Sequence, residues 1–184
     1  MSNKFNSIDS GRRRFVTQSA LAAGVAASGV GASSLMTSKP AKAVSTNARV
    51  VIIGAGAAGL AIATRLSRQI DSAQITIVDR REAHYYQPGL TLVATGLWKP
   101  EKVVDSNDRY MPSGINWIKD DVATFDPDNN RLETVDGTQV DYDFLVISTG
   151  LEVNFDLIEG MSTDLIGQNG VGCVYANPDH AART

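Results

Sequence analysis

After Arg49 the apolar residues Val50-Val51-Ile52-Ile53 run unbroken, and a short β-branched run of this kind predicts a parallel strand covered on both faces. It passes directly into Gly54-Ala55-Gly56-Ala57-Ala58-Gly59. Beyond the last glycine, Leu60, Ile62, Ala63 and Leu66 recur at helical spacing as far as Ile70, and a second strand, Gln74-Ile75-Thr76-Ile77-Val78, ends at Asp79. From Ile115 the pattern changes to short β candidates at Ile115–Ile118, Asp121–Phe125, Arg131–Val135 and Thr138–Val140. Turn signals at Asp126-Pro127-Asp128-Asn129-Asn130 and Asp136-Gly137 separate the last three. A further buried strand, Phe144-Leu145-Val146-Ile147, then runs into Ser148-Thr149-Gly150. Ser45 to Asn47 form a short polar lead-in, and no internal repeat is visible. The pattern is that of an α/β chain.

Strand, glycine turn, helix and strand in succession supply the βαβ context that turns a bare G-x-G-x-x-G into a dinucleotide-binding signature. Gly54 permits the tight turn, Gly56 lets the backbone approach a pyrophosphate, and Gly59 lets the helix pack close to the strand. The N–H groups at the helix start, around Ala57 and Ala58, are expected to face the two phosphates, with the helix dipole adding to the attraction. Asp79 stands 20 residues after Gly59, where a carboxylate accepts hydrogen bonds from the adenosine ribose. It would repel a ribose 2′-phosphate, so Arg80 and Arg81 are expected to be solvated surface charge.

The motif serves FAD and NAD alike. A nicotinamide domain would go on alternating strand and helix after Asp79, whereas this chain turns to short strands. A three-stranded meander inserted after the first βαβ, then a return strand ending in Thr-Gly, resembles the FAD domain of flavoproteins with two dinucleotide-binding domains. The expected fold is therefore a Rossmann-like FAD-binding domain, as the incomplete, amino-terminal part of such a flavoprotein.

Within that group the chain resembles the sulfide:quinone oxidoreductases. The likeness rests on Asp79-Arg80-Arg81-Glu82-Ala83-His84-Tyr85-Tyr86-Gln87-Pro88-Gly89-Leu90-Thr91-Leu92-Val93, on Met111–Ile118, on Tyr142–Leu151 and on Ile158-Glu159-Gly160, and it covers essentially residues 49–184. The Tyr-Gln-Pro segment is its most specific part. The resemblance implies FAD along the glycine cradle, with the backbone of Ala57 and Ala58 at the pyrophosphate and Asp79 at the ribose. It also implies Gln87 near the flavin, the Val122 backbone at the adenine, and Gly150 where the last strand meets the cofactor. The implied substrates are sulfide and a quinone, with peripheral association with a membrane. The alternatives are a truncated FAD-binding fragment without activity of its own, or the flavoprotein subunit of flavocytochrome c sulfide dehydrogenase, which would bring a cytochrome c subunit; that relative holds its flavin through a cysteine where this chain has Pro88. His84, Tyr85 and Tyr86 are expected to pack a loop, and Trp98 and Trp117 to bury apolar area.

Sulfide oxidation in this family resembles dithiol chemistry and needs two thiols. The chain has one, Cys173, so no catalytic residue is assigned. Cys173 reads as a buried small residue rather than a nucleophile, and His180 as part of a crossover without a catalytic role. One cysteine also excludes an intramolecular disulfide and any multi-cysteine zinc site, and the two histidines suggest no metal centre. A length of 184 residues admits one domain or a little more. With 43% hydrophobic and 20% charged residues the chain is of globular composition.

Its 17 basic and 20 acidic residues are unevenly spread: six basic and one acidic residue lie in the first 43, leaving 11 and 19 beyond. The acidic remainder disfavours a nucleic-acid partner. The basic start, Arg12-Arg13-Arg14-Phe15, precedes an uncharged Ala/Gly/Ser-rich stretch and Ala41-Lys42-Ala43, the layout of an export signal with a small-residue cleavage site. Arg12-Arg13-x-Phe15 resembles the bacterial twin-arginine signal. The expected organisation is a signal peptide over 1–43, the amino-terminal part of the FAD-binding domain over 44–160, and the start of a crossover into a second dinucleotide-binding domain over 161–184. Export places the mature protein, from Val44, in the periplasm or on the periplasmic face of the inner membrane.

Overall fold

A computed structural model describes residues 44–184. The expected signal peptide, over 1–43, lies outside the described residues. The chain begins with β1 (Val44–Ser45), β2 (Arg49–Ile53), α1 (Ala57–Gln69), β3 (Ile70–Asp71) and β4 (Gln74–Val78). The helix stops one residue short of the expected Ile70 because that residue joins β3, which pairs in parallel with β1 through Val44↔Ile70. Further on come β5 (Ala83–Tyr85), α2 (Leu90–Ala94), β6 (Val104–Ser106), β7 (Asn116–Ile118), β8 (Val122–Asp126), β9 (Arg131–Thr134), β10 (Gln139–Asp141), β11 (Phe144–Ile147) and α3 (Pro178–Arg183).

Four strands form a parallel sheet in the order β11-β2-β4-β7. Its centre is β2, paired to β4 through Val50↔Ile75 and Ile52↔Ile77 and to β11 through Val51↔Leu145 and Ile53↔Ile147. Alternation along β2 divides the core in two. Val50 and Ile52 pack with Ile75, Ile77, Leu60 and Ala63, so α1 covers that face. Val51 and Ile53 turn the other way, onto Val78, Leu132 and Tyr142. A strand covered on both faces needs apolar residues at every position, which is why β2 reads as a continuous run.

The second face is covered by the antiparallel sheet β10-β9-β8, the expected meander. Its turns fall on the expected residues: Asn130 is left-handed at φ 53°, and Gly137 at φ 86°. The candidate at Ile115–Ile118 belongs elsewhere. As β7 it extends the parallel sheet beside β4, with Trp117 paired to Ile77. Trp117 and Ile115 pack against the α1-side core, and that burial draws the segment away from the meander.

Between β4 and β7 the chain forms a hairpin of β5 with β6. Its long connection carries α2, and Leu90 and Val93 of α2 pack with Val103 and Ala181 in a third small core. The last helix, α3, thus folds back on the loop that carries Gln87 and Pro88. No described helix is long and apolar enough to cross a membrane.

Candidate functional site

The three motif glycines have different tasks. Gly54 leaves β2 at φ 101° and donates its N–H to the Val78 carbonyl at 2.9 Å. A Cβ there would stand 2.5 Å from the Ser148 carbonyl oxygen, so the turn is pressed against the end of β11. At Gly59 a Cβ would fall 1.9 Å from the Gly54 carbonyl oxygen, closer than any packing allows. Gly56 differs, because no atom lies within 4 Å of where its Cβ would be. The fold itself has no need of a glycine there, and space is left in front of the backbone. Gly56 also begins α1, whose first turn has no side-chain cap and no acidic residue. The exposed first-turn N–H groups of Ala57 and Ala58 are thus free of protein anions, the condition an anionic ligand requires.

Two clefts open at the ends of β2, β4 and β11. The first, of about 430 Å³, is lined by Gly54, Asp79, Arg81, Val122 and Thr149, with Asp120 and Asp121 at one side. Asp79 Oδ2 accepts the Ala55 N–H at 2.7 Å, and Oδ1 accepts the Arg81 N–H at 2.7 Å. A carboxylate has about four acceptor positions, so about two remain for ribose hydroxyls. Its backbone is fixed too: the Asp79 N–H donates to the Ile118 carbonyl at 3.1 Å, and Trp117 Nε1 donates to the Asp79 carbonyl at 2.9 Å.

Val122 reaches this cleft where β8 is irregular, since the register slips between Val122↔Thr134 and Thr124↔Glu133. Such a bulge unpairs one residue and re-aims its neighbours. The adjoining turn is tightly bonded. Asp120 accepts the N–H groups of Asp121 and Asp136, at 2.8 and 2.9 Å. The hydroxyl of Thr134, with Thr138, holds the Asp136 carboxyl down at about 2. Arg80 lines the first cleft, is largely exposed, and pairs with Asp121 at 3.1 Å. Arg81 instead lies 5.9 Å over the Tyr85 ring and lines both clefts.

The second cleft, of about 460 Å³, is walled by Gly56, Ala57 and Ala58 on one side and by His84, Tyr85, Gln87 and Pro88 on another, with Gly150 at its rim. Gly150 is left-handed at φ 81° with no atom within 4 Å of a Cβ position. Ser148 fixes the strand end beside it, donating its N–H and its hydroxyl to the Ile53 carbonyl at 2.8 Å each. Gln87 begins a tight turn held by the Tyr86 N–H donating to the Val103 carbonyl at 2.8 Å. Of the nine expected site residues, Gly54, Asp79 and Val122 line the first cleft and Gly56, Ala57, Ala58, Gln87 and Gly150 the second. Gly59 lines neither and is buried, which fits its packing role.

Three features escaped sequence reasoning. Asn107 is 1% exposed, donates Nδ2 to the Arg81 carbonyl at 2.8 Å and accepts from His84. Gly89 is buried, with Val103, Trp98 and Tyr86 within 3.0 Å of where its Cβ would be, so Gln87 and Pro88 are held by packing on the residue after them. Thr149 joins the two clefts. Only Gly89 left a trace in the sequence, as the unexplained glycine after Tyr-Gln-Pro.

Residues 48–181 match the family described as pyridine nucleotide-disulphide oxidoreductase. The chain belongs to this family. Among its curated relatives, the mitochondrial sulfide:quinone oxidoreductase of Dictyostelium discoideum is 38% identical over 148 residues, which are 80% of this chain and 32% of that protein. The mouse mitochondrial sulfide:quinone oxidoreductase is 37% identical over 112 residues, 61% of this chain and 25% of the relative. Among solved structures, the sulfide:quinone oxidoreductase of Aquifex aeolicus superposes with a TM-score of 0.57 at 27% identity, over 73% of this chain and 30% of that one. The chain thus spans about a third or less of the length of these relatives. The family match, together with the parallel sheet and glycine turn, establishes the Rossmann-like α/β fold.

Proposed function

We propose that the chain is the FAD-binding part of a flavoenzyme that oxidises sulfide and passes the electrons to a quinone. The observation that carries the reading is the pair of clefts meeting at Gly54–Gly56 and Thr149, one offering a carboxylate and the other a helix N-terminus. An extended dinucleotide presents a ribose and a diphosphate in that order. Asp79 receives the adenosine ribose, the N–H groups of Ala57 and Ala58 receive the diphosphate, and Gln87 and Gly150 border the flavin end. When bound, FAD supplies two-electron acceptance and delivery. The substrates follow from the sulfide:quinone oxidoreductases among the relatives.

Pro88 bears on how the flavin is held. It lines the second cleft, at the position where the flavocytochrome alternative requires a cysteine, and a proline cannot form a thioether. The protein carrying this chain should purify yellow, and acid precipitation should release all the flavin into the supernatant. Flavin that stayed with the pellet would move the reading to the flavocytochrome branch, and a protein that bound no flavin would sink it. In the same preparation, Asp79→Ala should weaken FAD binding by about 1.5 to 3 kcal/mol, roughly ten- to a hundredfold.

A further inference from the structure

His84 was expected only to pack a loop, yet its ring stands between two cavities. It lines the 460 Å³ cleft opposite Ala57 and Ala58, and also a wider groove of about 770 Å³ along α1 with Thr64, Arg65, Arg68 and Tyr110. The ring is held from two sides. It packs against Tyr110 with centroids 4.7 Å apart, and Nδ1 lies 2.9 Å from Asn107 Oδ1. Since Asn107 uses its amide nitrogen to donate to the Arg81 carbonyl, the atom facing His84 is an acceptor, and Nδ1 must carry the proton. Nε2 is then the basic nitrogen of the neutral ring, and among the described residues it has no protein partner.

We propose that His84 is a binding residue for the diphosphate of the dinucleotide, acting through Nε2, and that FAD binding tightens as the imidazole takes up a proton from water at that nitrogen. This rests on the FAD reading above. In the neutral ring Nε2 is an acceptor and offers nothing to a phosphate oxygen. Once protonated it becomes a charged donor, facing a diphosphate that lies against the start of α1. The side chains around it set the local field. On the facing strand Asp105 is directly opposite His84, and its carboxylate is engaged by the Tyr110 hydroxyl at 2.8 Å and by Arg109 at 2.9 Å. Asp108 follows in the same turn, where its N–H donates to the Ser106 hydroxyl. Arg81 and Tyr85 flank the ring in the cleft, and Arg65 and Arg68 face it across the groove.

The test titrates flavin-free protein with FAD between pH 5.5 and 8.5, following quenching of flavin fluorescence. Wild type should bind about three- to tenfold more tightly at the acid end, in one step. His84→Gln should keep the affinity of the alkaline end and lose the step. Nitrogen NMR of wild-type imidazole above pH 8 gives a second measurement that needs no variant, and it should show the Nδ1-protonated tautomer. A flat wild-type profile, a step that survives in His84→Gln, or an Nε2-protonated ring would overturn the proposal while leaving FAD binding intact. Failure of wild type to bind FAD at any pH would overturn the flavin reading and this one with it.

Discussion

At the scale of single residues, the glycines separate what the fold needs from what a ligand needs. Gly54 and Gly59 are enforced by backbone atoms 2.5 and 1.9 Å from their Cβ positions, and Gly56 by nothing in the protein. Gly59→Ala should therefore destabilise the chain by about 2 kcal/mol or more, as overpacking against rigid backbone does. Gly56→Ala keeps an extended backbone at φ −72°, which alanine adopts freely, and should leave the thermal midpoint unchanged while lowering FAD affinity at least about tenfold. Thermal unfolding and FAD titration of the two variants side by side decide it. Equal loss of stability in both would show that Gly56 is a packing glycine after all. The motif already suggests a different task for each of the three positions, but a missing Cβ in the sequence does not say what would have met it, and the packing around Gly54 and Gly59 does.

Among the elements, legibility followed the range of the interactions. β2, α1 and β4 were readable because each carries its own periodicity, and the meander because Asp-Pro-Asp-Asn-Asn and Asp-Gly turns bound its strands. The β5–β6 hairpin left no such mark. Its strands are three residues each, Ala-His-Tyr and Val-Asp-Ser, and buried Asn107 ties them down through its N–H to the Glu82 carbonyl at 2.8 Å. A pairing twenty residues apart, fixed by backbone bonds and one buried polar residue, has no local signature. The meander is joined to the parallel sheet by charges. Arg49 of β2 reaches Asp143 at 2.9 Å and Asp141 at 3.4 Å, and Arg131 of β9 holds Asp141 at 2.6 Å. These arginines hold both carboxyls below the usual range, and the Thr134 and Thr138 contacts take Asp136 from 3.8 to about 2. A carboxyl with a lowered folded-state value binds its proton more readily in the unfolded chain, so its contribution is complete above about pH 4 and is lost as pH falls towards 2. Asp136→Asn should accordingly flatten the acid end of the stability profile between about pH 4 and 2, read from tryptophan fluorescence, and change little at pH 7. An unaltered acid limb would show that the Thr134–Thr138 turn opens before Asp136 is protonated.

At the scale of the whole molecule, the proposed cradle for adenosine and diphosphate is accompanied by only one thiol in the 184 residues. β11 is an edge of the parallel sheet, and its Phe144 and Ile147 are 62% and 64% exposed, next to a Leu151 that is 70% exposed. Exposed apolar edges of this kind favour self-association, so binding assays on the isolated 184 residues belong at low protein concentration. Cys173 lies in the segment leading to α3, only half-buried rather than buried as expected because this short segment packs on one side alone; its N–H donates to the Thr184 hydroxyl at 2.9 Å, and it lines neither of the two clefts. Dithiol chemistry requires a second sulfur to close the disulfide that carries the electrons of sulfide towards the flavin. The 184 residues alone, loaded with FAD, should therefore show no sulfide-dependent quinone reduction, whereas a protein that continues through a cysteine pair should turn over. Anaerobic stopped-flow mixing with sulfide checks this by the flavin absorption band, which should persist in the short chain and bleach in the longer one. Rapid bleaching of the short chain, abolished by Cys173→Ser, would make Cys173 the sulfide-reactive thiol.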